Sequence, residues 1–203
     1  METIELLIDN GHGDKTPGKC SPDGQHREFR WTRDFAERLC TALTERGLKA
    51  RRIVTEEWDV SIRERVRRVN AVCAQKGKNN VLVISLHNDA QPPNDNKWHT
   101  ARGFSTRVAP KASSRSKQLA TIIARRMSKA GVKVRTPQPE QWYWKQNLGI
   151  CRDTECPAVL CENLFQDNRE DVKLLHDEQF LQLLVSVYVA AIEDYIILNQ
   201  ANI

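Results

Sequence analysis

Four residues of this chain could together carry metal-assisted hydrolysis: His12, Glu28, His87 and Glu162. His12 stands in Ile8-Asp9-Asn10-Gly11-His12-Gly13, directly after the apolar run Ile4 to Ile8. His87 follows the run Val81 to Leu86, and Glu162 closes a third run, Pro157 to Glu162. If each run is a strand of an α/β sheet, the three strand ends open on one crevice, where residues remote in sequence share a pocket. Two imidazoles and one carboxylate leave a tetrahedral zinc ion one open position, and a second carboxylate beside it can serve as general base. That set of groups reads as a hydrolase. On residue logic alone the third ligand stays open between Glu28 and His26, because a carboxylate near a helix start often only complements the helix dipole.

At these residues the chain resembles the zinc-dependent N-acetylmuramoyl-L-alanine amidases, the family whose first strand runs into Asp-x-Gly-His-Gly. The family's further landmarks match in order: Glu28, then Arg65 with Asn70, then Ser85-Leu86-His87-Asn88-Asp89-Ala90, then Pro157-Ala158-Val159-Leu160-Cys161-Glu162, with Asn168 beyond. The chain departs from the pattern at Asn10 where Pro is usual, at Val69 where Ala is usual, and at Asn163-Leu164-Phe165 where Gly-Phe-Leu is usual. The resemblance implies a zinc cofactor held by His12, Glu28 and His87, and its spacing favours Glu28 over His26. It implies hydrolysis of the amide between N-acetylmuramic acid and L-alanine in peptidoglycan. Glu162 then takes the proton of the attacking water and passes it to the departing amine.

Around these groups Asp9 and Asp89 are expected to orient His12 and His87 as hydrogen-bond acceptors. Trp142 and Trp144 are candidate platforms for substrate, and Arg102 and Arg152 could meet a stem-peptide carboxylate. For the two Trp rings, a loop tucked against the sheet is an equal reading. His99 and His176 match no ligand position and are expected at the surface.

At 203 residues the chain suits one sizeable core, read as a single catalytic domain over 1–203 without a wall-binding module. Hydrophobic residues make up 40% and charged residues 28%, an ordinary soluble composition, and no apolar stretch is expected to cross a bilayer. The net charge of +5 suits an anionic polymer such as cell wall or nucleic acid. It decides little, because Arg63, Arg65, Arg67 and Arg68 are expected on a solvated helix face. The acidic start Met1-Glu2-Thr3-Ile4-Glu5 is no signal peptide. The protein is therefore expected to be made in the cytoplasm and to act on the wall after release, unless a leader has been removed. Six cysteines without Cys-x-x-Cys pairs read as reduced thiols.

The elements that position the site follow from hydrophobic periodicity. Strand and helix patterns alternate, which predicts a three-layer α/β domain: a mostly parallel sheet with helices on both faces. Strands are expected at Ile4 to Ile8, Leu48 to Val54, Val81 to Leu86, Gly103 to Val108 and Pro157 to Glu162. Phe35, Leu39, Ala42 and Leu43 mark a helix ending at Gly47, with Leu48 folding back on Leu43. Ser61 and Glu64 form a capping box ahead of an apolar stripe Ile62, Val66, Val69 and Cys73. Leu119, Ile122, Ile123 and Met127 mark another helix, and Phe180 to Tyr195 a long last one that Asp177 caps. Asn88 to Thr100, including Asn94, and Thr136 to Asn147 read as loops.

Two other functions compete with the amidase. A zinc carboxypeptidase or endopeptidase acting on stem peptides uses the same ligand types, whereas a non-catalytic wall-binding or nucleic-acid-binding module has no need of the four-residue set. The expected partner is peptidoglycan, with no nucleic acid, no membrane insertion and a monomeric chain.

Overall fold

Continuous apolar strands serve a parallel sheet only if both its faces are covered, and here they are. The computed structural model describes residues 4–93 and 95–200, so the charged start at 1–3 and Asn94 lie outside the described residues. The strands are β1 (Glu5–Asn10), β2 (Lys49–Arg52), β3 (Val81–Asp89), β4 (Ser105–Val108), β5 (Trp144–Lys145) and β6 (Ala158–Phe165). The helices are α1 (Glu28–Glu45), α2 (Ile62–Lys76), α3 (Ser114–Lys129), α4 (Gly149–Arg152), α5 (Arg169–Leu175) and α6 (Glu178–Gln200). The sheet order is β2-β1-β3-β6-β4-β5, and every neighbouring pair is parallel except β4 with β6.

Strand alternation sorts the side chains into two cores. Leu6, Ile8, Ile84 and Val159 pack with Phe35 of α1, Ile123 of α3 and Ile192 of α6. Their neighbours Leu7, Val83 and Leu160 meet Val69 and Cys73 of α2 and Ile150 of α4 on the opposite face. Each such side chain stabilises the fold by about 1.5–3 kcal/mol on burial. Asp9, His87, Glu162 and Arg107 continue the second set toward the carboxyl ends of β1, β3 and β6, so the site lies on the α2/α4 side, where that core gives out.

The expected helix ends form. Leu48 N–H donates to Leu43 O at 3.0 Å with Gly47 at φ 76°, and Asp177 Oδ1 accepts from Phe180 N at 2.8 Å. Of the expected capping box only the Ser61 half forms, its Oγ accepting from Glu64 N at 3.3 Å, while the Glu64 carboxylate accepts from Arg67 and Arg68. Asn70 of α2 holds the 153–155 turn, donating to Asp153 O and accepting from Glu155 N. Asn168 caps α5 through Glu170 N and Asp171 N.

Several expectations need correction. β2 is shorter than Leu48 to Val54, although Ile53 N still donates to Ile8 O. The stretch expected as loop over Thr136 to Asn147 contains the edge strand β5. His87 and Glu162 are not terminal, because the β3/β6 ladder runs on through a bulge: His87 faces Glu162 and Asp89 faces Phe165. The extra residue is taken up where Leu164 adopts φ 64°. Arg65 is not solvated but 1% exposed, whereas Ile62, expected in the core stripe, is 48% exposed. Finally, Glu178–Asn199 is long and apolar enough to cross a membrane by length and composition; in this fold Leu184, Tyr188, Ala191, Ile192 and Tyr195 of that helix are buried in the larger core.

Candidate metal centre

The chain turns sharply after β1 at His12, whose φ of 61° lies in the left-handed region. For a non-glycine residue that conformation costs about 1–2 kcal/mol, so neighbouring contacts must hold it. Arg65 does much of this, its Nη1 donating to Asn10 O at 2.6 Å and its Nη2 to His12 O at 3.2 Å. Arg33 of α1 also donates to His12 O, at 3.2 Å. The buried guanidinium of Arg65 is neutralised by Asp9, whose Oδ1 accepts from Nη1 at 2.6 Å while Oδ2 accepts from Ser85 Oγ at 2.6 Å. Asp9 therefore does not orient an imidazole as expected: both its oxygens are engaged on the sheet face under α2, and it acts on His12 through Arg65.

Removing one partner of such a pair leaves the other charge buried and alone. Arg65→Met is expected to cost about 3–5 kcal/mol in denaturant unfolding of the metal-free protein. A loss below about 1 kcal/mol, the size of a surface pair, would show that the clamp contributes nothing.

Glu28 sits in the first turn of α1, fully buried. Its Oε1 lies 3.0 Å from His87 Nδ1 and 3.4 Å from His12 Nε2, and accepts from Asn88 N at 3.0 Å. One ligand-type atom of each of His12, Glu28 and His87 lies within 4.8 Å of the others, the one such group among the described residues. Two donors about 2.0–2.1 Å from a tetrahedral zinc stand about 3.3 Å apart, close to these spacings. His12 Nε2 and Glu28 Oε2 are buried without a hydrogen-bond partner. Donor chemistry, spacing and the two unpartnered atoms all fit zinc. Gly11 makes the approach possible, since a Cβ there would stand 2.4 to 2.8 Å from atoms of the His87 ring.

Electrostatics favour the ligand states of Glu28 and His12. Burial would raise the Glu28 carboxyl, but the close approach of the His12 and His87 rings outweighs it and holds Glu28 well below the usual carboxylate range. Burial lowers His12 below the ordinary imidazole value; it acts the same way on His87, where Glu28 overcomes it and leaves the ring raised. His26 faces elsewhere, with Nε2 2.9 Å from Asn88 Oδ1 and Nδ1 3.2 Å from His176 Nε2. Burial pushes it down to about 4. Geometry thus groups Glu28, and not His26, with the two motif histidines. His176 is exposed as expected, while His99 is half-buried against Asp95 at 2.8 Å.

Glu162 faces the cluster from β6 across the ladder from His87. Its Oε1 lies 3.4 Å from Arg107 Nε, and its Oε2 is buried without a hydrogen-bond partner. Burial, and next the Asp89 carboxylate, push Glu162 up to about 7 while Arg107 opposes them. Asp89 is not on His87 either: its Oδ2 accepts from Arg107 Nη2 at 2.5 Å and lies 3.5 Å from Arg135 Nη1. The antiparallel placement of β4 beside β6 brings Arg107 to it, and Arg135, whose N–H donates to Phe104 O, comes from the segment after α3. Sequence reasoning missed Arg107, though a charge inside the short expected strand Gly103 to Val108 was a usable signal. It also left Asn163 unexplained. That residue donates to His87 O at 3.3 Å and accepts from Tyr188 OH at 2.8 Å, tying the floor of the site to α6.

Two hollows meet at His12, Ile62 and His87. One, of about 420 Å³, lies under Asp59, Val60 and Arg65; the other, of about 540 Å³, runs past Glu162, Arg107, Pro92 and Asn147. None of Trp142, Trp144 and Arg102 lines either hollow. Trp142 packs on the larger core with the Arg125 guanidinium 5.6 Å from its ring. Trp144 belongs to β5 and donates to Arg135 O at 3.3 Å. Arg102 pairs with buried Asp171 at 3.2 Å, and Arg152 with Asp153. Each is held by a structural partner away from the cluster.

A family model described as N-acetylmuramoyl-L-alanine amidase matches residues 6–194. An endolysin of Bacillus phage SPP1 is 27% identical over 199 residues, which cover 97% of this chain and 68% of that protein. Among solved structures, an N-acetylmuramoyl-L-alanine amidase from Clostridium difficile 630 superposes with a TM-score of 0.82 at 21% identity, covering 97% of this chain and 98% of its own. The catalytic domain of another, from Bacillus (Paenibacillus) polymyxa var. colistinus, gives 0.77 at 21% identity, covering 96% and 98%.

Proposed function

The chain belongs to the N-acetylmuramoyl-L-alanine amidase family, and from that premise we propose that His12, Glu28 and His87 hold a catalytic zinc ion while Glu162 moves the proton. The bond cut is the amide between N-acetylmuramic acid and L-alanine in peptidoglycan. The observation that carries the reading is the convergence of two imidazoles on one buried carboxylate, with a second carboxylate, Glu162, across the strand ladder. Zinc dependence is general in the family. When bound, zinc supplies a Lewis acid that polarises the amide carbonyl and brings the pKa of water to about 7.

The remaining chemistry belongs to the chain. Oε2 of Glu162 takes a proton from the attacking water as the oxygen–carbon bond forms, and gives that proton to the amide nitrogen as the carbon–nitrogen bond breaks. The products are a free carboxylate on the lactyl group and a stem peptide beginning with L-alanine. A carboxyl near pKa 7 suits both transfers, since it is neither too weak a base nor too weak an acid at neutral pH. Arg107, held by Asp89, lies against Oε1 and leaves Oε2 as the oxygen for the proton. All four groups come from one chain, so this reading needs no second copy. Action on the wall after release accords with the likeness to a phage endolysin.

Mass spectrometry of purified peptidoglycan, digested with and without a chelator, tests the reading. New N-terminal alanine and peptide-free glycan are expected, and the chelator should abolish both. New ends within the stem peptide would instead favour the peptidase.

A further inference from the structure

Three Lys and Arg side chains line the two hollows: Arg65 in the smaller, Arg107 and Lys19 in the larger. Two of them are committed. Arg65 is held by Asp9 and by the carbonyls of Asn10, His12 and Val60, and Arg107 by Asp89 and Gln146, with Glu162 at 3.4 Å. Among the described residues the Lys19 ammonium is answered by charge alone: its Nζ lies 3.9 Å from Glu28 Oε2, beyond hydrogen-bond reach, and that oxygen is buried without a hydrogen-bond partner. We propose that Lys19 is a catalytic residue, the positive group that stabilises the negative charge gathering on the carbonyl oxygen of the scissile amide. The proposal rests on the amidase reading and deepens it.

Lys19 is fixed at its backbone and open at its tip. Its carbonyl accepts from Glu28 N at 3.1 Å, Gly18 O accepts from Gln166 Nε2 at 3.3 Å, and Cys20 pairs with Arg27. The side chain therefore starts beside the ligand carboxylate, and 32% of it is exposed. It lines the same hollow as His12, His87 and Glu162, the space in which Glu162 takes the proton from water.

Charge decides what the ammonium is for. Glu28 Oε1 faces both imidazoles, so in the amidase reading the charge of this carboxylate answers zinc. A second cation 3.9 Å from the same carboxylate opposes metal binding by like-charge repulsion. Lys19 thus costs metal affinity, and what offsets the cost is a negative charge that arises in the hollow during turnover. Arg107, engaged as it is, leaves that charge to Lys19.

The amide supplies one. As the water oxygen bonds to the carbonyl carbon, an electron pair moves onto the carbonyl oxygen, and it returns as the carbon–nitrogen bond breaks. Lys19 keeps its proton throughout. A cation placed for charge that exists only in the transition state lowers the barrier without tightening the binding of the uncut amide.

The test compares unaltered protein with Lys19→Met, both full-length and zinc-loaded. Lys19→Met is expected to lower kcat and kcat/KM together by roughly 100-fold, the lower end for loss of an oxyanion donor, because part of the side chain stays in water. Binding supplies the second readout. An analogue of a soluble muramyl peptide in which a phosphinate replaces the scissile amide is tetrahedral and carries one negative charge, and its Kd should weaken by a similar factor. On the Glu162→Gln background the intact amide should bind equally well with and without Lys19→Met. Zinc should be held at least as tightly as in the unaltered protein, and Lys19→Arg should recover most of the phosphinate affinity. Three results each overturn the proposal: unchanged phosphinate affinity, an equal loss for the intact amide, as when Lys19 meets a stem-peptide carboxylate, or loss of zinc, as when Lys19 only steadies Glu28. Release of N-terminal alanine by the unaltered enzyme is a separate readout, and its failure would count against the amidase reading instead.

Discussion

Glu162→Gln is expected to bind zinc as the unaltered protein does while turnover falls by about 100- to 10,000-fold, the usual contribution of a positioned general base and acid. The amide keeps the size and shape of the carboxyl but cannot hold the proton in transit. The three groups gathered at Glu28 Oε1 are untouched by the change. Two further signatures follow from the raised pKa. Because the ionised form is the base, activity should climb with pH through about 7, and a divalent cation alongside moves that limb to lower pH. For stability the sign is the reverse: a carboxyl raised from 4.5 to about 7 favours the fold most below pH 4.5, and that contribution is lost as pH rises through about 7. The loss is at most about 3.4 kcal/mol. Metal-free Glu162→Gln should therefore be at least as stable as the unaltered protein at pH 8, with the difference gone at pH 4. Near-normal hydrolysis by this variant would remove Glu162 from the mechanism.

His12→Ala, His87→Ala and Glu28→Ala should each lose zinc and activity together, because three protein ligands become two. His26→Ala should keep both. The measurement is zinc retained after dialysis, read beside thermal unfolding with and without added zinc. A ligand at 100 times its Kd stabilises a folded protein by about 2.7 kcal/mol, so the unaltered protein and His26→Ala should shift with zinc and the ligand variants should not. The Glu28 variant discriminates most, since a carboxylate in a helix's first turn could be there only for the helix dipole. If Glu28→Ala keeps its zinc-dependent shift while His26→Ala loses it, the site is three histidines and the assignment is wrong.

Much of the site was legible before the structure because its residues sit in short motifs next to apolar strands. A histidine between two glycines after Ile4 to Ile8, and another after Val81 to Leu86, announce turns and strand ends by local rules. Capping at Ser61 and Asp177 and the turn at Gly47 were equally local, and they formed. The misreadings share one cause. Asp9 and Asp89 look like orienting carboxylates beside motif histidines, yet their partners are Arg65 from α2 and Arg107 from β4. Trp142 and Trp144 look like a platform and belong to the core margin and a sheet edge.

The sequence by itself picked out His12, His87 and Glu162 and the apolar runs that place them, because strand periodicity and turn residues are properties of the chain alone, and on residue logic it left the third donor between Glu28 and His26. Only the tertiary structure decided which charge answers which. Arg107 reaches Glu162 because β4 runs antiparallel beside β6, with Ser105 opposite Glu162 and Arg107 opposite Leu160. Arg65 reaches Asp9 because α2 lies across that face of the sheet. Strand register and helix placement follow from the packing of the whole core, and a buried polar group must find its partner among whatever that packing brings near.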